Sequence, residues 1–264
     1  MQLVHTAGAT LAMALVGPFW FASEPPAEAS ERIPRFRTLE GNRRALGGIE
    51  FDVVTREITL PATVNMTDGE IEYVLVHETG KVHESLLRTT ASPFDLNVVL
   101  LLLDFKPDPG WFVPPAKPKP LTTVKPASLG DIFVRWKGAG GTEASARIEA
   151  WVGNLLTKRT AVEAPWVYSG SEVTADSRFA AEVDGTHIAL YLDTRCVFNS
   201  PREGNHNDMI WTPAEGIQPK GTSVTLVLKP PGLTSSPKDK AAPSRKSGNE
   251  LPPRNPRQRK LKKP

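Results

Sequence analysis

Apolar residues in this chain recur mostly at every second position, in short runs. Phe51 and Val53, then Ile58 and Leu60, alternate with polar neighbours until Pro61 interrupts them, which is the period of a half-buried strand. Residues 71–76 form a further strand rich in β-branched and aromatic side chains, and Asp68-Gly69 ahead of them is a hairpin signal joining it to the strand before. Beyond residue 126 the pattern is all strand, at 132–136, 146–151, 166–168, 179–183, 188–192 and 224–228. Asp184-Gly185 predicts a second hairpin turn, and the glycines of residues 138–141 predict another.

One segment departs from this period. Ser92-Pro93-Phe94-Asp95 opens a helix: the serine hydroxyl can accept from first-turn amides, proline lacks only an N–H that has no partner there, and the aspartate faces the positive helix end. Leu96 and residues 98–103 follow as a nearly unbroken apolar run ending at Asp104. Such a helix spans about 18 Å, enough to cover a sheet face but not a membrane. A helix apolar on most sides is expected to be buried on most sides, which puts Leu101 in the core. The fold class expected is α+β, a mostly antiparallel β-sheet with one buried apolar helix (about 92–104) packed on it.

Composition divides the chain. Residues 3–22 are almost free of charge around a Leu/Ala core, and Ala27-Glu28-Ala29 offers the small residues of a cleavage site, so 1–29 reads as a signal peptide. No positive n-region precedes the core, which keeps an uncleaved membrane anchor as the alternative. Residues 30–47 read as an irregular basic leader and 48–230 as one domain, its two halves joined by a proline-rich stretch at 107–126. Residues 231–264 read as a disordered basic tail, because they offer too little apolar surface to offset ordering entropy. From Lys229 onward the chain carries a charge of +9, leaving −6 on the rest of a protein whose total is +3. A basic tail suits an anionic envelope polymer or a membrane surface; export to a secreted or periplasmic location argues against nucleic acid.

Titratable groups concentrate in His77-Glu78-Thr79-Gly80-Lys81-Val82-His83-Glu84-Ser85. If Gly80-Lys81 turns the chain, His77 and His83-Glu84 come side by side, and two imidazoles with a carboxylate suit a divalent metal. The spacing differs from the helical H-E-x-x-H motif, and the same residues would serve equally as a polar hairpin beside the core. A second polar stretch, residues 199–208, contains His206 and Asp208; it could join the first in space, or be a loop bonded to itself. The metal set under consideration is therefore His77, His83, Glu84, His206 and Asp208. No G-x-S-x-G elbow, Walker loop or dinucleotide fingerprint is present, and no catalytic residue can be assigned. Cys196 is the only cysteine, so an intramolecular disulfide and an iron–sulfur cluster are both excluded; it reads as a small buried hydrophobe. The tryptophans read as core, except that Trp111 and Trp211, flanked by turn residues, could be exposed for ligand stacking.

Five segments resemble the YdjY-type domain of exported bacterial proteins: residues 69–76, Gly80-Lys81-Val82-His83-Glu84-Ser85-Leu86-Leu87, the leucine-rich helix, residues 166–171, and residues 221–228. The resemblance covers about residues 46–230 and implies an α+β domain in an exported protein, without an activity or catalytic residues. The expectation is an envelope protein acting as a binding or structural module through an exposed groove; the alternative is a metal-dependent hydrolase using His77, His83 and Glu84.

Overall fold

The computed structural model describes residues 36–111 and 119–232. The expected signal and the basic tail beyond residue 232 lie outside these residues. In chain order the strands and helices are β1 (Phe36–Thr38), β2 (Arg43–Leu46), β3 (Ile49–Asp52), β4 (Ile58–Val64), β5 (Tyr73–His77), β6 (Ser85–Thr89), α1 (Pro93–Leu102), β7 (Leu129–Lys137) and β8 (Glu143–Arg147). They continue as β9 (Val152–Asn154), β10 (Arg159–Thr160), β11 (Trp166–Tyr168), α2 (Ala180–Asp184), β12 (Thr186–Ala189), β13 (Phe198–Asn199), β14 (Trp211–Pro213) and β15 (Ser223–Lys229).

The structure is mostly β with few helices, and its main sheet closes on itself. Strands run in the order β4-β15-β7-β11-β13-β12-β5-β6, and β6 pairs again with β4 to complete an eight-stranded barrel. The pairs β5–β6 and β12–β13 are parallel; the other pairs around the barrel are antiparallel. β1, β2 and β3 extend from β4 as an antiparallel meander, and β10-β9-β14 form a separate small sheet. Closure removes the unpaired edges that an open sheet would expose. The strands before the proline-rich stretch (β5, β6 and β4) form one continuous arc of the barrel and those after it (β15, β7, β11, β13 and β12) form the rest, so neither half can close it alone.

Side-chain alternation fills the interior. Ile58, Leu60, Ala62 and Val64 of β4 join Ile132 and Val134 of β7 and Leu226 and Leu228 of β15 in one buried cluster. Their odd-numbered neighbours on β7 and β15 turn outward. Pro61 does not break β4. It stands where β4 changes partner from β3 (Thr59↔Glu50) to β6 (Thr63↔Arg88), and its carbonyl on that side accepts from the Thr89 hydroxyl at 2.6 Å. No strand faces it there, so its missing N–H costs no ladder bond.

α1 begins as its sequence predicts. The Ser92 hydroxyl accepts from the Asp95 amide at 3.2 Å, and the Glu182 carboxylate, arriving from α2, accepts from both the Ser92 hydroxyl (2.7 Å) and the Phe94 amide (3.1 Å). A carboxylate there also answers the positive helix end. Leu96, Val99, Leu100 and Leu103 enter the main core, each contributing about 1.5–3 kcal/mol by burial. Leu101 and Leu102 do not: they are 47% and 57% exposed, so the all-round burial expected of this helix is corrected to one buried face.

Four other expectations change. The leader is not irregular throughout, since β1 and β2 form a hairpin that buries Ala45 and Leu46. Asp68-Gly69 turns the chain (Gly69 φ +82°) without making a hairpin, because β4 and β5 are not neighbours. Residues 180–184 form α2 rather than a strand, and Gly185 is its left-handed C-terminal residue (φ +71°) rather than a hairpin turn. Trp111 and Trp211 are buried rather than available for stacking.

Candidate functional site

The segment around Gly80 is not a hairpin. β5 and β6 are parallel, with Tyr73 opposite Ser85 and His77 opposite Thr89. His83 and Glu84, just ahead of Ser85, therefore lie at the opposite end of β5 from His77, about 13 Å away at strand rise. Gly80 serves close packing: a Cβ there would meet the Asp184 carbonyl at 2.8 Å and the Gly185 carbonyl at 3.0 Å. The His77 amide donates to that same Gly185 carbonyl at 2.7 Å, and its Nδ1 is held by the Thr79 hydroxyl at 2.7 Å. The two imidazoles cannot share one ion in this arrangement. Among the described residues no group of three His, Cys, Asp or Glu side chains is placed to hold a metal.

Some of the predicted residues do meet. The Lys81 ammonium donates to the Tyr73 hydroxyl at 2.7 Å, and that hydroxyl donates to Asp193 at 2.9 Å. Glu84 lies 3.8 Å from Lys81 and 3.6 Å from the exposed His83 ring. Burial, followed by Glu84, holds the neighbouring Glu72 carboxyl above its ordinary range; Lys81 opposes this, and Asp208 and then Asp193 add to it. Asp208 is thus near Glu72, whereas His206 is exposed and makes no hydrogen bond or ion pair with this cluster among the described residues. Burial first, then Asp193, push the Tyr73 hydroxyl well above its ordinary value, so it is a hydrogen-bonding bridge rather than a proton source. Burial likewise raises Cys196, which packs with Tyr73, Val76 and Ala189. This cluster ties the start of β5 to residues 193–196. His83 itself borders a small cavity of about 390 Å³ beside Asp68 and Lys220.

The stretch 199–208 is self-bonded but less superficial than a surface loop. Asn199, Ser200, Arg202 and Asn205 are buried, and the Asn205 amide donates to the Ser200 carbonyl at 2.6 Å. Arg202 reaches the fully buried Glu149 carboxylate, whose other contacts are the Trp166 indole N–H at 2.9 Å and Arg147 at 3.4 Å.

The larger concave feature lies elsewhere, over β7, β8 and β15. A cleft of about 780 Å³ is lined by Glu57, Arg135, Lys137, Glu143, Ser145, Thr222, Ser223 and Thr225, with Trp136, Ala144 and Val224. That size is usual for a ligand site. Its floor follows from register. Arg135 faces Thr225 on β15 and Ser145 on β8, and Lys137 faces Glu143 on β8. These residues share the outward face of the barrel, because the intervening Val134 and Leu226 point into the core. Trp136, at the alternate position of β7, borders the cleft and packs against Trp151 with ring centroids 5.2 Å apart and the planes tilted by 56°.

Charges in the cleft are held in place. Glu57 accepts from Arg135 at 3.1 Å and lies 3.1 Å from the Lys229 ammonium. Further along the same face, Arg147 pairs with Asp131 at 2.9 Å. Lys137, Glu143 and Ser223 are exposed at the strand ends. Ser145, by contrast, is only 8% exposed, and its hydroxyl has no hydrogen-bond partner. The arrangement presents donors and acceptors on a rigid sheet, which suits recognition of a ligand. Sequence reasoning did not single out these residues. The available signal was the polar alternation of Arg135 and Lys137 on β7 and of Ser223 and Thr225 on β15.

Compared with protein-family models, curated proteins and solved structures, the chain matches none.

Proposed function

We propose that this chain is an exported envelope protein of the YdjY type that works as a binding or structural module through the cleft over β7, β8 and β15. The observation that carries this reading is the 780 Å³ cleft whose polar floor is set by strand register. A rigid sheet holds such groups with little ordering cost on binding. Among the described residues no helix is long and apolar enough to cross a membrane. Secretion or a periplasmic location rests on the signal-like residues 1–29, and the YdjY assignment rests on the sequence resemblance. The basic residues after Lys229 give the module a second, electrostatic hold on an anionic envelope polymer or membrane surface.

Co-sedimentation of the full chain with isolated cell-wall sacculi tests this. The protein should pellet with the sacculi, and a folded Lys137→Ala/Thr225→Val variant should pellet several-fold less. Salt should weaken only the part due to the tail. A cleft variant that pellets as the wild type does would overturn the reading.

A further inference from the structure

We propose that the cleft takes a neutral, polyhydroxylated ligand, a saccharide segment, with the Ser145 hydroxyl as its buried hydrogen-bonding anchor. This deepens the reading of the cleft as a binding site and rests on it.

The first support is Ser145 itself. Its side chain lines the cleft, is buried at 8% exposure and has a hydroxyl without a partner. Buried hydroxyls are nearly always paired, because an unmade hydrogen bond is costly. Its cross-strand neighbour Arg135 is directed at Glu57, 3.1 Å away. A ligand hydroxyl entering the cleft would satisfy the serine as both donor and acceptor.

The second support is the set of groups around it. Thr222, Ser223 and Thr225 supply three further hydroxyls to the same cleft from the β15 side. Neighbouring strands are about 4.8 Å apart, and same-face residues along a strand about 6.7 Å apart. Such a grid of hydroxyls matches a ligand that repeats its own hydroxyls at similar intervals, since each partner both donates and accepts.

The third support is charge. Arg135 and Lys137 are balanced by Glu57 and Glu143 within the lining. A cleft with no net charge gives neither a polyanion nor a polycation a long-range pull. Trp136 also lines the cleft, but its ring is packed on Trp151 with centroids 5.2 Å apart, so the hydroxyl grid is the main recognition surface.

The test uses the full chain and three probes: a chitin hexasaccharide, maltohexaose and dextran sulfate, followed by saturation-transfer NMR and calorimetry. At least one neutral probe should bind, with little change between about 50 and 500 mM salt, since no charge is being screened. Ser145→Ala should weaken that binding about fivefold to tenfold, the equivalent of one hydrogen bond. The same variant should melt at or above the wild-type temperature, because it removes a buried hydroxyl that lacked a partner. Binding of neither neutral probe overturns the proposal, as does equal binding by Ser145→Ala or binding confined to dextran sulfate. If sacculi still pellet the protein through the cleft while the neutral probes fail, the ligand class is wrong and the envelope reading stands. If a neutral probe binds through Ser145 while pelleting ignores the cleft, the ligand class stands and the envelope reading falls.

Discussion

Replacing Arg202 by methionine should destabilise the barrel severely. The guanidinium is 4% exposed and meets four partners besides Glu149: the carbonyls of Val162 and Ala164, each at 2.7 Å, the Ser200 hydroxyl at 3.3 Å, and the Trp166 ring at 4.3 Å. Methionine conserves much of the volume, so the loss is chiefly electrostatic. Burial pulls the Arg202 guanidinium down to about 10, against the opposing effect of Glu149; the pair is therefore costly to bury, and breaking it is costlier. Removing one member of a buried pair typically costs about 3–5 kcal/mol. In a unit of this size that lowers Tm by about 8–16 °C. Thermal and urea denaturation followed by circular dichroism measure it. A Glu149→Met/Arg202→Met double variant should recover about half of the loss, because the buried carboxylate, left with only Arg147 and the Trp166 N–H, is then gone, while the Trp166 N–H loses its acceptor and the two carbonyls remain without their donor. A single variant shifted by less than about 3 °C, or a strictly additive cycle, would refute the reasoning.

Three further outcomes follow from the same geometry. Leu100→Ala should cost about 2–5 kcal/mol, since Leu100 is fully buried, whereas Leu101→Asp should fold and melt within about 1 kcal/mol of wild type, since Leu101 is 47% exposed; equal effects in urea titrations would contradict this placement of α1. His187 is fully buried, and burial lowers it to about 3, offset in part by its bond to the Ala91 carbonyl, with His77 adding to the depression. The unfolded chain protonates this histidine near pH 6.5 and the folded one only near 3, so its contribution is complete above pH 6.5 and declines as pH falls, by up to about 1.4 kcal/mol per pH unit. Stability measured from pH 7 to pH 4 should therefore fall less steeply in His187→Gln, and parallel curves would contradict the assignment. Gly80→Ala should destabilise by about 1–3 kcal/mol, because its methyl group would strike backbone carbonyls of Asp184 and Gly185; an unchanged Tm would show that the approach is not tight.

Local signals were legible in the sequence and long-range ones were not. Ser92-Pro93 fixed the start of α1, because capping involves only the first turn. The alternation of Ile132 with Val134 and of Val224 with Leu226 showed two strands, because burial on one face repeats every second residue. Barrel closure depends on pairings such as Thr63 with Arg88 and Leu226 with Val134, and nothing within a strand names its partner. Gly80 resembled a turn because its real constraint, the backbone near Gly185, is distant in sequence. The helix α2 was misread although Gly185, placed as a left-handed stop, was the relevant cue. Arg43 and Arg44 concealed a strand, since their charges face outward while Ala45 and Leu46 are buried. The same logic hid the cleft. Arg135, Lys137, Ser223 and Thr225 read as an outward polar face, but only the assembled sheet shows which outward face is concave.

Hydrogen exchange on the full chain, with and without isolated sacculi, tests the placement of the binding face most directly. The account predicts slowed exchange in residues 133–137, 143–147 and 223–227 when sacculi are present, with little change in residues 72–84. Protection confined to residues 72–84 and 190–208, with β7, β8 and β15 exchanging as before, would contradict it.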